Sequence, residues 1–180
     1  MELLTVFTFD MSVTTFVQCS LYYDSTEFIE KCRELPLPEQ WMQNLDKITY
    51  GNRIDLSEIN SENFVTLPLE TLYPECNISQ QKACEVIRFS SMVVTELNKL
   101  YQRDEKYLVY EPEPEEIKAG VKKLNHGMFG IIDSIARRCP QYSHDEILQL
   151  NQAVVFQMLK IDIDNANYAK RLRTILNPKK

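Results

Sequence analysis

The sequence predicts a mainly α (α+β) fold, a helical bundle with a small β-hairpin near residues 47–56. Three observations lead there. The chain holds only four glycines in 180 residues, which disfavours a turn-dense all-β fold. Apolar residues from Ala83 to Tyr101 recur at helical spacing over a stretch long enough to organise a core. Gly51-Asn52, between the β-suited KITY and RIDL, fits the central pair of a type II′ hairpin turn.

Taken in order, LLTVFTF is rich in β-formers and reads as an opening strand or the start of a buried helix. DSTEFIEKCREL reads as a short helix capped by Asp24 or Ser25, with Glu27 in its first turn, and it ends before Pro36 and Pro38. Residues 57–78 look irregular, punctuated by Pro68 and Pro74. Ser79 is placed to cap a long helix over 79–102. YEPEPEE follows: its prolines favour extended backbone, Pro114 suits the first position of a helix, and Glu115 and Glu116 suit the first turn. The division expected is an acidic N-terminal domain over 1–110, a proline hinge at 111–114 and a C-terminal helical unit over 115–180 packed on the first part. Within that unit, PEEIKAGVKKL is expected to stop at Gly127, MFGIIDSIARRC at Pro140, SHDEILQLNQAVVFQMLKI to form one helix, and Asp164 or Asn165 to cap a final one. No internal repeat is visible.

Net charge is −6 and unevenly placed. Residues 1–75 hold thirteen acidic and four basic side chains, and residues 76–180 hold thirteen acidic and sixteen basic, balances of −9 and +3. The closing stretch NANYAKRLRTILNPKK has five basic residues and no acid, so Lys170, Arg171 and Arg173 form either a solvated helix face or a docking charge for an acidic partner. Five cysteines without a CxxC pair read as reduced thiols. The N-terminus lacks the basic region of a signal peptide, and no apolar run is long enough to span a bilayer. A soluble intracellular protein, or one delivered by assembly, is expected.

Chemistry concentrates in LNHGMFGIIDSIARRCPQYSHDEILQL, which holds both histidines. A nucleophile would need Cys139 activated by His144, but Cys139 continues the apolar stripe of Ile132, Ile135 and Ala136, where thiols are inert packing. His126, Cys139 and His144 lack the spacing of a zinc site, so neither metal nor cofactor is expected and the protein is read as no enzyme. Ser143-His144-Asp145-Glu146 is better explained as a capping box. As a DNA-reading helix it would open with two carboxylates beside phosphate, so nucleic acid is not favoured as a partner. IDIDNAN departs from a calcium loop at Ala166, Asn167 and Arg173. Asn151 interrupts the stripe of Ile147, Leu148, Val154, Val155, Met158 and Leu159, as either a core Asn bonding nearby backbone or a register-fixing residue at a helix or subunit seam.

Two segments carry a family resemblance: ITYGNRIDLSEI (48–59) and EEIKAGVKKLNHGMFGIIDSIARR…VVFQMLK (115–160). They resemble small morphogenesis or virion proteins of tailed bacteriophages and prophages of Bacteroides-type bacteria. The shared pattern is Thr49-x-Gly51 with Leu56, Ala119-Gly120, Phe129-Gly130, and Val155-Phe156-x-x-Leu159. The resemblance covers about a third of the chain and rests on packing residues and turns. It implies a non-enzymatic structural part of a head–tail connector or tail, homo-oligomeric and in contact with other virion or assembly proteins. A tail-assembly chaperone, or a small regulatory nucleic-acid binder using Lys170, Arg171 and Arg173, are the alternatives.

Overall fold

In the computed structural model, residues 6–41, 44–124 and 126–176 are described. Among them run nine α-helices: α1 Val13–Ser20, α2 Thr26–Arg33, α3 Tyr50–Leu56, α4 Leu67–Leu72, α5 Ala83–Tyr107, α6 Pro114–Lys118, α7 Gly127–Arg138, α8 His144–Gln149 and α9 Gln152–Leu176. The chain forms two compact units, residues 1–45 with 55–98 and residues 46–54 with 99–180, so the division falls inside α3 and inside α5.

In the first unit, apolar residues at helical spacing bury one face of each helix. Val13 and Phe16 do this for α1, Phe28 and Cys32 for α2, and Ala83, Val86, Ile87 and Val93 for α5. Phe7, Phe16 and Phe28 pack with ring centroids 5.5–5.7 Å apart, Phe7 stacked on Phe28, and Phe9 joins through Phe28. Further along α5, Phe89 meets Trp41 at 5.0 Å and Tyr73 at 5.9 Å. Two polar groups among these apolar neighbours are satisfied by backbone: Arg88 Nε donates to the Leu35 carbonyl at 2.6 Å, and the buried Ser90 hydroxyl donates to that of Val65. Burial pushes the Cys32 thiol up to about 12, so it stays protonated packing.

The two units share one device. A helix start leaves N–H groups without intrahelical acceptors. In the first unit the starts of α1 and α5 satisfy each other: Val13 N–H bonds the Gln81 carbonyl at 3.0 Å and Ala83 N–H bonds that of Met11 at 2.9 Å, an antiparallel bridge of Ser12 with Lys82. In the second unit α3 and α9 do the same. Tyr50 N–H bonds the Leu150 carbonyl at 2.8 Å and Gln152 N–H bonds that of Ile48 at 3.0 Å, a bridge of Thr49 with Asn151. Three of the four bridging residues also cap their helices: Ser12 Oγ accepts from Thr15 N–H, Thr49 Oγ1 from Asn52 N–H and Asn151 Oδ1 from Ala153 N–H. In each unit one partner is a short helix and the other a helix of 25 residues.

Beyond its bridge, the second unit packs Tyr50, Ile132, Ile135, Ile147 and Val155 into one apolar cluster. Here α7 and α8 form a helical hairpin, with Cys139 at the end of α7 and the Ser143–Glu146 capping box starting α8.

Several expectations are corrected. The hairpin near 47–56 is the helix α3. Gly51 lacks the positive φ that a type II′ turn requires, and its role is close approach, since a Cβ there would lie 3.2 Å from the Leu148 carbonyl oxygen. Tyr50 and Ile54, one turn apart, then meet the core on one face. The opening strand over LLTVFTF falls partly outside the described residues, and residues 6–9 form bends and turns rather than a strand. The long helix starts at Ala83 and continues to Tyr107, because the bridge takes Lys82 and a short 3-10 turn takes Ser79. The helix opened by Pro114 ends at Lys118, with Gly120 left-handed (φ 90°) after it, and Gly127 begins the next helix. Finally, the break expected at Asp164 or Asn165 is absent and lies at Leu150 and Asn151 instead. Leu150 is extended there, and α9 runs unbroken past 165 with a Lys160–Asp164 ion pair on its surface.

Candidate functional site

The surface with most to offer a partner is α9, and its own unit grips it at three places. At its start lies a polar group. Arg53 Nη2 bonds Asp104 Oδ2 at 2.6 Å, with both side chains largely buried. Arg103 bonds the other carboxylate oxygen of Asp104, reaches Gln152 Oε1 at 3.2 Å, and lays its guanidinium 3.8 Å from the centroid of the Phe156 ring. Arg53 also stands over the Tyr101 ring at 5.5 Å. Gln152 is fully buried, and its Nε2 has no hydrogen-bond partner. Burial pushes the Tyr50 phenol up to about 12.

Halfway along, Arg138 of α7 bonds the Met158 carbonyl and the Asp162 carboxylate. Toward the far end, the segment 109–116 lies along the helix as a strap. Asn167 pairs with it as backbone would, donating from Nδ2 to the Val109 carbonyl at 2.9 Å and accepting from Glu111 N–H at 3.3 Å. Lys170 Nζ bonds the Glu111 carbonyl at 2.8 Å and Glu116 Oε2 at 2.7 Å, and sits 3.6 Å from the Tyr110 ring centroid. Tyr110 OH donates to Glu116 Oε1 at 2.7 Å. These two bonds, Lys170 foremost, and the Glu113 N–H hold the Glu116 carboxyl down at about 2. The prolines thus sit within the second unit, tied to α9 by side chains 54–59 residues further along the chain.

The opposite face of α9 is bare. Val154, Ile161, Tyr168, Leu172 and Ile175 are 40–74% exposed, and they share one side of the helix. At about 100° per residue, this side lies about 180° from the buried Gln152, Val155 and Phe156. An amphipathic helix has one apolar side; α9 has two.

Of the residues singled out in sequence, Asn151 caps α9 and carries the bridge to Thr49, matching the reading of an Asn that bonds nearby backbone. Lys170 is taken up by the strap. Arg171 and Arg173 are exposed in the last turns of α9 and make no ion pair among the described residues. His144 meets Phe129 edge to face at 5.4 Å and lies 4.0 Å from Asp133, within the first turn of a capped helix. Gly130 leaves room for His126, whose Cβ would come within 2.5 Å of a Cβ at 130. Among the described residues, no three His, Cys, Asp or Glu side chains are grouped to hold a metal ion, and no helix is long and apolar enough to cross a membrane. Sequence reasoning missed Arg53, Arg103, Asp104 and Gln152. A hairpin placed where α3 stands and a long helix ended at 102 hid them, since Arg53 and Gln152 meet Arg103 and Asp104 only once α3 and α9 bridge as helix starts and α5 runs on to Tyr107.

No protein-family model matches the chain, and no curated protein and no solved structure is significantly similar to it.

Proposed function

We propose that the protein is a non-enzymatic structural or assembly component of a tailed bacteriophage particle, a head–tail connector or tail protein that works through contacts with other virion or assembly proteins. The observation that carries a contact role is the bare side of α9, where Val154, Ile161, Tyr168, Leu172 and Ile175 stand exposed on a firmly held helix. Exposed apolar surface of this kind is costly in a chain that stays alone, and it is stabilising once covered. The charged side chains with most chemical potential, Arg53, Asp104, Arg103, Lys170 and Glu116, already neutralise one another inside the unit. The assignment to a phage particle rests on the resemblance of segments 48–59 and 115–160, which form α3, α6 to α8 and the start of α9.

Mass spectrometry of gradient-purified particles, and of assembly intermediates from producing cells, tests the proposal. The chain is expected at a fixed ratio to head or tail proteins in one of those fractions. Its absence from both would overturn the reading.

A further inference from the structure

We infer that the bare side of α9 pairs with the same helix of a second copy of this chain, antiparallel and in a single register. This deepens the contact role proposed above and rests on it.

The spacing on that side is a heptad. Val154, Ile161, Tyr168 and Ile175 follow one another every seven residues, and Met158, Asn165 and Leu172 fall four residues after the first three of them. Alternating steps of four and three are the a and d positions of a coiled-coil seam, with 154, 161, 168 and 175 at d and 158, 165 and 172 at a. From Ile161 onward all of these positions are exposed. The same helix buries its other side against its own unit, and of the seam positions Met158 alone also packs on that unit's core cluster, so the stretch from Ile161 onward does not serve the internal fold.

Charge selects the occupant and the orientation. The g positions flanking the seam are Gln157, Asp164 and Arg171. In an antiparallel pair, a faces d of the other helix and g faces g. Setting Ile161 against the second copy's Leu172 also sets Asn165 against its Tyr168 and Met158 against its Ile175. That register places Asp164 opposite the second copy's Arg171, twice by symmetry. Sliding by one heptad in either direction puts Asp164 against Asp164 or Arg171 against Arg171, which repel. In a parallel pair, g faces e of the next heptad, so Asp164 would meet Ala169 and Arg171 would meet Leu176, with no charge pair at all. Asp164 also bonds Lys160 of its own helix, while Arg171 makes no ion pair among the described residues and is free to cross the seam.

Light scattering during gel filtration of the full chain at low salt is the test. The expected mass is twice the 21.1 kDa of one chain. Arg171→Asp, which sets Asp against Asp at both ends of the seam, is expected to shift the chain to a monomer. The double variant Asp164→Arg with Arg171→Asp is expected to restore the dimer. Both substitutions are on exposed positions, and circular dichroism checks that each variant is folded. A wild-type chain that is monomeric up to high concentration, or an Arg171→Asp variant that stays dimeric, would overturn the inference. The contact role stands or falls separately, on whether the chain is found in particles or assembly intermediates.

Discussion

The two units solve one backbone problem with opposite interiors. Counting from each bridge, Val13 corresponds to Tyr50, Phe16 to Arg53, Ala83 to Gln152, Val86 to Val155 and Ile87 to Phe156. All ten are buried, yet the first set is entirely apolar and the second includes an arginine and a glutamine. Crossing two helix starts therefore demands only that each supply a carbonyl to the other. What fills the space beneath is a separate choice. In the first unit hydrocarbon and aromatic rings supply cohesion without directional requirements. In the second, Arg53 and Gln152 need Asp104 and Arg103, so the end of α5 is locked in place by geometry as well as by packing.

The largest effects test that contrast directly. Phe16→Ala is expected to cost about 3–4 kcal/mol through lost burial and the cavity left among the rings. Asp104→Ala is expected to cost about 3 kcal/mol for a different reason, since it leaves Arg53 without its counter-charge in a mostly buried place. Urea unfolding gives both sizes, and hydrogen exchange places them. Loss of protection should concentrate in α1 and α2 for the first variant and in α3 and α9 for the second. An Asp104→Ala variant as stable as the wild type would mean that the polar interior holds nothing together.

A smaller effect of opposite sign separates the interiors further. Gln152 Nε2 is buried without a partner, and such a group costs about 1–3 kcal/mol. Arg103 keeps Asp104 and the Phe156 ring if the Gln152 oxygen is lost. Gln152→Met is therefore expected to be neutral or to raise stability by about 1 kcal/mol, whereas Ala83→Gln at the corresponding place in the first unit should destabilise. Thermal unfolding of the two variants side by side checks the signs. Next in size are the caps. Ser12→Ala and Asn151→Ala should each cost about 1 kcal/mol, alike in both units because the bridge is alike.

How much of this was legible in the sequence follows the range of the interactions. The helical class, the α2 helix, Pro114 at a helix start and the Ser143–Glu146 capping box all depend on neighbours within a turn, and all were readable. The bridges join residues 70 and 102 apart, and no local pattern marks them. Hence Thr49 and Gly51 read as a hairpin when they are a cap and a close approach, and the break before α9 was displaced from Asn151 to Asp164. Gly127 read as the end of the helix opened by Pro114, but that helix ends at Lys118 with Gly120 left-handed after it, and Gly127 starts α7. Of the candidate surface, the basic end of α9 was visible as composition. That Lys170 faces inward to the strap while Arg171 faces outward depends on which side of the helix the core takes.

The smallest effect concerns the strap, which has no counterpart among the described residues of the first unit. Glu116 titrates near 2 in the folded chain against an ordinary 4.5, because Lys170, Tyr110 and the Glu113 N–H all favour its charged form. A carboxyl held down in the folded state contributes stability that is complete above about 4.5 and is lost as pH falls toward 2. The site is solvent-facing, so screening keeps the effect local and modest, and added salt should weaken it. A carboxyl titration followed by NMR is expected to give Glu116 a midpoint near 2, and Lys170→Met should move it back toward 4.5. Exchange of the Glu111 and Glu113 amides, which bond Asn167 and Glu116, should quicken over the same acid window while the amides of α1 do not follow. If the α1 amides quicken in step, the strap is no separate element of the second unit, and the acid response belongs to the whole chain.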